Sequence, residues 1–167
     1  MVDTALVNSL KTGGVHNLLR QFEGEWEGPA LTWFQPGPPS DESTWRGSIK
    51  RVLGDRFLLH TYEGTMQGKA LEGQMLIGFH LKARKVQMAW IDSFHNGTGM
   101  MQCEGEPIEN GISVLGGYGG ETGQLWGWRT TIVLESDLSL RITMTNIPPA
   151  GLGEPAKAVE VLYLRQV

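Results

Sequence analysis

Gly24-Glu25-Trp26-Glu27-Gly28 is where the periodicity of this 167-residue chain changes. Just upstream, Val15, Leu18, Leu19 and Phe22 recur at helical spacing, which predicts a short helix with one apolar stripe. From Gly24 onward the spacing is two, the signature of strands with one face buried. Ten strand-like runs follow, at 25–34, 43–53, 56–63, 70–80, 84–92, 98–105, 111–118, 124–135, 138–146 and 156–166. Asn96-Gly97 and Asn110-Gly111 suit type I′ hairpins, and Gly54-Asp55, Gln67-Gly68 and Ser136-Asp137 supply further turns. Gln35 to Ser40 is a stiff, proline-rich loop, and Pro148-Pro149-Ala150-Gly151 breaks the chain before the last strand. No later run keeps helical spacing, which argues against a parallel βαβ arrangement.

Regular strands joined by short turns predict an all-β fold, a roughly ten-stranded antiparallel up-and-down barrel with a short N-terminal helix. A β-sandwich has the same strand spacing and is the rival. Residues 1–12 show no strong pattern and read as a loosely held arm, leaving 13–167 as a single domain.

Composition narrows the function classes. The 23 glycines are about twice the average share of roughly 7%. They sit inside apolar runs, where glycine marks bulges, bends or close backbone approach. A formal charge of −4 argues against a nucleic-acid protein, which normally shows a basic face. The small clusters Lys50-Arg51 and Lys82, Arg84, Lys85 read as solvated strand ends. Cys103 is the single cysteine, so neither an internal disulfide nor a cysteine zinc site is expected. Met1 to Leu10 lacks the pattern of a signal peptide, and no run approaches 18 apolar residues. A cytoplasmic protein without a membrane segment is the expectation.

The ordered series Leu19-x-x-Phe22-x-Gly24-x-Trp26-x-Gly28, Gly64-x-x-x-Gly68, Glu72-Gly73, Trp90-Ile91-Asp92-Ser93, Gly97-x-Gly99-Met100 and Glu160-x-x-Tyr163-x-Arg165 resembles the bacterial domain-of-unknown-function family numbered 1579, from about His16 to the C-terminus. The resemblance implies a lipocalin-like barrel of about ten strands and no particular activity. Gly78-Phe79-His80 and Gly120-Glu121-Thr122-Gly123 depart from the family's Gly-Tyr-Asp and Asp-Pro patterns, so no role of those aspartates carries over. Gly-x-Trp-x-Gly is also similar to the opening of nitrobindin-type haem barrels, which take their iron ligand from a late histidine. The last histidine here is His95, the likeness ends at one strand, and no haem or other cofactor is expected.

Strand phase nominates interior residues. Val86, Met88, Trp90 and Asp92 share a face, as do Trp45, Ile49 and Arg51. Trp126, Trp128, Thr130, Ile132 and Leu134 form a third set, and Val159, Val161, Tyr163 and Arg165 a fourth. If these faces point inward, the interior has apolar walls with sparse polar handles, the make-up of a small-molecule pocket. The alternative is a barrel filled by its own side chains. Tyr163 and Arg165 could grip a carboxylate. Fatty-acid-binding barrels use a last-strand Arg-x-Tyr pair for this, and the order here is reversed.

Asp92, Ser93 and His95 invite a triad reading, but adjacent strand residues point to opposite faces, which spoils the geometry. Asp92 and His60 are the acid–base candidates. The four histidines show no metal-ligand spacing, so no metal site is expected.

The leading expectation is a barrel that binds a small, mostly apolar molecule. Trp45, Met88, Trp90 and Trp128 would supply walls, and Arg51, Asp92, Tyr163 and Arg165 would orient the ligand. An enzyme using the same cavity for a cyclisation, isomerisation or lyase step is the alternative. A third class is an interaction module, which would form a homodimer.

Overall fold

In the computed structural model, which describes residues 3–167, two short helices precede ten strands. The helices are α1 (Thr4–Ser9) and α2 (Val15–Arg20). The strands are β1 (Gly24–Thr32), β2 (Asp41–Val52), β3 (Phe57–Met66), β4 (Lys69–His80), β5 (Lys85–Asp92), β6 (Met101–Ile108), β7 (Gly111–Tyr118), β8 (Trp126–Ser136), β9 (Ser139–Ile147) and β10 (Ala156–Arg165). Each strand pairs antiparallel with its sequence neighbours, and β1 also pairs with β10. The sheet therefore closes into an up-and-down barrel and is not a sandwich. Closure satisfies the backbone groups that an edge strand would expose.

Alternate connections fall at the same end. One end carries the turns 53–56, 81–84, 109–110 and 137–138 together with α2. The other carries 33–40, 67–68, 93–100, 119–125 and 148–155, four of them long. The barrel thus has a helix end and a loop end.

The helix end is sealed. Leu19 and Phe22 are buried against the core, and the Trp26 indole donates to the Phe22 carbonyl at 3.0 Å. Arg165 lies over the Trp26 ring at 4.2 Å and donates to the carbonyls of Gln21, Glu23 and Asp137. Residues 4–9 are helical where the sequence suggested a loose arm. Asp3 caps α1 by accepting the Ala5 amide, Leu6 is buried, and Ser9 Oγ meets His16 Nδ1 at 2.8 Å. Met1 and Val2, the start of that arm, lie outside the described residues.

Inside, aromatic rings fill the barrel, and glycine on a nearby strand makes room for them. A Cβ at Gly47 would sit 2.4 Å from the Tyr163 hydroxyl, and one at Gly73 would sit 2.3 Å from that of Tyr62. Trp45 and Tyr62 stack with centroids 4.6 Å apart and planes 5° from parallel. Trp90 Nε1 donates to the Tyr62 hydroxyl at 2.8 Å, and His60 Nε2 bonds the Tyr163 hydroxyl at 3.0 Å. These rings join one continuous core running the length of the barrel.

Two predicted hairpins differ from expectation. Glu109 and Asn110 make the β6–β7 turn with Asn110 at positive φ, and Gly111 already pairs with Ile108. Asn96-Gly97 lies inside the longer connection 93–100, not in a two-residue turn.

Candidate ligand site at the loop end of the barrel

The reason for that longer connection is Asp92, the last inward residue of β5. Its carboxylate is fully buried, and Oδ1 accepts the amides of Phe94 (3.3 Å), His95 (2.6 Å) and Asn96 (2.9 Å). Three amides drawn to one oxygen fold the chain across the barrel mouth, which forestalls a tight hairpin. The other oxygen, Oδ2, accepts from His95 Nδ1. A carboxylate behind Nδ1 fixes the proton there and leaves Nε2 as an acceptor. No side chain or backbone group among the described residues bonds Nε2, and the nitrogen is not sealed from solvent.

The imidazole is wedged among aromatic rings. Its centroid lies 5.3 Å from that of Trp90, 5.6 Å from Trp128 and 4.9 Å from Phe94. Ser93 turns outward and accepts the Glu72 amide at 3.0 Å, so no serine faces the histidine as a nucleophile. What remains is a histidine–carboxylate pair able to accept a hydrogen bond or a proton.

His95 forms one wall of a cleft of about 420 Å³ at the loop end. Trp33, Phe34, Phe94, Trp128 and Leu152 supply most of the apolar lining. Phe34 and Phe94 meet across the mouth with centroids 6.1 Å apart. Trp33 is steadied by a bond from Nε1 to the Gly37 carbonyl (3.0 Å) and by the Lys157 ammonium 5.5 Å from its ring centroid. Trp128 stacks on Trp90 at 5.6 Å and forms the floor. Its side chain is buried, yet Nε1 has no hydrogen-bond partner, and neither does Thr130 Oγ1 one inward position further along β8. A buried donor left unpaired costs about 1–3 kcal/mol.

A larger hollow, about 900 Å³, lies against the outer face of β1–β5. Within its charged lining Arg46 pairs with Glu27 at 3.0 Å, and Ser48 donates to Glu25 at 2.7 Å. It is a broad depression on the barrel wall whose lining carries the carboxylates of Glu25, Glu27, Glu63 and Glu72.

The nominated side chains are distributed unevenly around the cleft. Trp128 lines it, Trp90 lies beneath it, and Asp92 acts on it through His95. Trp45, Met88 and Tyr163 are buried in the filled interior. His60 is there too, and burial holds its imidazole pKa down at about 3. Burial likewise pushes the Tyr163 phenol up. Arg51 shares a phase with Trp45 but emerges at the helix end, paired with Glu23 (2.9 Å) and Asp55 (3.1 Å). Arg165 is occupied at that same end by three carbonyls.

His95, Trp33, Phe34, Phe94 and Leu152 were not singled out from sequence as wall or handle. The signal for them was loop length, because all four long connections fall at one end of the up-and-down order. No helix among the described residues is long and apolar enough to cross a membrane.

A closed ten-stranded barrel, plugged by aromatics and a helix at one end and carrying an aromatic cleft at the other, defines the class as a small up-and-down β-barrel protein. The chain belongs to the family described as "Protein of unknown function (DUF1579)", whose model matches residues 11–165. No curated protein matches it. Among solved structures, a de novo designed fluorescence-activating β-barrel aligns over 89% of this chain and 96% of its own, at 14% identity and a TM-score of 0.43.

Proposed function

We propose that the protein binds a small, mostly apolar, planar molecule in the cleft at the loop end of the barrel. The observation that carries this reading is an aromatic-walled cleft with Trp128 in its floor and, in its wall, a His95 imidazole whose Nε2 has no hydrogen-bond partner among the described residues. Apolar walls with a few placed polar groups are the usual make-up of a ligand pocket, and the volume lies within the usual 300–1,000 Å³. Aromatic filling of the barrel below supports placing the ligand at the mouth and not deeper.

Calorimetric titration with 2-methoxynaphthalene, a flat apolar probe bearing one acceptor, tests the reading. Trp128→Ala is expected to weaken binding at least about tenfold, through lost ring contact. Met88→Ala, which alters the interior away from the cleft, is expected to leave affinity within about twofold once the folded fraction is matched. Unchanged affinity in Trp128→Ala would overturn the proposal.

A further inference from the structure

His95 and Asp92 say more about the ligand than that it is flat and apolar. Asp92 accepts only, so the proton it shares with His95 sits on Nδ1 and the lone pair on Nε2. Nε2 has no protein donor among the described residues. The ring is held from behind by the carboxylate and laterally by Trp90, Trp128 and Phe94, so its orientation is fixed before anything binds. Trp128 offers a flat aromatic face in the floor of the same cleft. The two ring centroids are 5.6 Å apart, close enough for one bicyclic or smaller molecule to meet both.

We infer that the cleft selects a hydroxylated aromatic, a phenol-type ligand whose O–H donates to His95 Nε2 while its ring packs on Trp128. Asp92 is a positioning residue in this scheme: it acts through the histidine by fixing the tautomer. The inference rests on the cleft being the binding site, as proposed above. A site built around an unpaired acceptor discriminates strongly against ligands that bring no donor, because binding then strips water from the acceptor and leaves it unsatisfied.

The test compares naphthalene, 2-methoxynaphthalene and 2-naphthol by calorimetry at pH 8, with the full chain. The ether and the phenol present the same ring and differ in the donor. Wild type is expected to hold 2-naphthol about tenfold more tightly than the ether. His95→Phe keeps an aromatic ring in the wall and is expected to erase that preference while retaining the ether. Asp92→Asn is the sharper variant. Asn can still accept the three amides through its oxygen, but its NH₂ would donate to Nδ1 and move the imidazole proton to Nε2. The preference should then shrink or invert in favour of the ether, and imidazole ¹⁵N shifts should report the tautomer change.

Equal affinity for naphthol and ether in wild type would overturn the inference while leaving the cleft as a plain apolar site. A naphthol preference that survives His95→Phe would also overturn it, because another group would then be the acceptor. Binding of none of the three would remove both this inference and the proposal beneath it.

Discussion

His60 is an imidazole with no access to solvent, and its folded-state pKa of about 3 has a thermodynamic consequence. Below about pH 6.5 the unfolded chain takes up a proton at this side chain, and the folded chain does not until about pH 3. The unfolded state therefore binds more protons across that window, and stability falls as pH is lowered through it. The slope from one such group approaches 1.4 kcal/mol per pH unit, about one proton's worth. Urea unfolding at pH 7, 6, 5 and 4 should show that slope in wild type, and His60→Leu should lose it even if less stable at neutral pH. An unchanged slope in the variant would assign the acid sensitivity elsewhere, with His16, also lowered by burial, the next group to examine. Gly47 sets the complementary limit on space. Gly47→Ala would press a methyl against the Tyr163–His60 bond, and we expect a loss of about 1–3 kcal/mol in the same assay. Of these residue-level facts, only the excess of glycine was legible in sequence. Which glycine faces which ring depends on the register between β2, β3 and β10, and that register is a property of the closed sheet.

At the scale of elements, strand phase was the strongest signal and loop chemistry the weakest. The inward sets Val86-Met88-Trp90-Asp92 and Trp128-Thr130-Ile132 follow directly from period two, and burial in the structure alternates accordingly. Asn96-Gly97 misled for a specific reason. The dipeptide signals a two-residue hairpin only when nothing else competes for its amides, and Asp92 captures those of Phe94, His95 and Asn96. The same capture places His95 against Asp92. Phase also ceases to inform at strand ends. Arg51 and Arg165 keep the parity of interior residues but lie where the barrel meets solvent and helix. There Arg165 ties β10 to the segment before β1 and to the β8–β9 turn. Arg165→Ala should cost about 2–4 kcal/mol by chemical denaturation, through lost charged hydrogen bonds and the Trp26 contact. It should leave affinity for 2-methoxynaphthalene unchanged, because it sits at the far end. A parallel loss of binding would place the ligand at the helix end instead.

On the scale of the whole molecule, the up-and-down order sorts the connections, and that sorting makes the two ends different. Short turns and a helix close one end, while the interior is occupied by Trp26, Trp45, Tyr62, Trp90 and Tyr163. Long loops remain free to build walls at the other. A sequence reading that expected a hollow barrel located the ligand among the interior tryptophans. Volume is what the sequence could not supply, since six large rings can line a cavity or fill one. The same six rings now provide the decisive probe. Their indole N–H resonances report from the helix end (Trp26), the interior (Trp45, Trp90) and the loop end (Trp33, Trp126, Trp128). In a ¹H–¹⁵N titration with 2-methoxynaphthalene, the account predicts large shifts at Trp128 and Trp33 with Trp26 and Trp45 unmoved. Shifts concentrated at Trp45 and Trp26, with Trp128 silent, would put the ligand inside the barrel and contradict it.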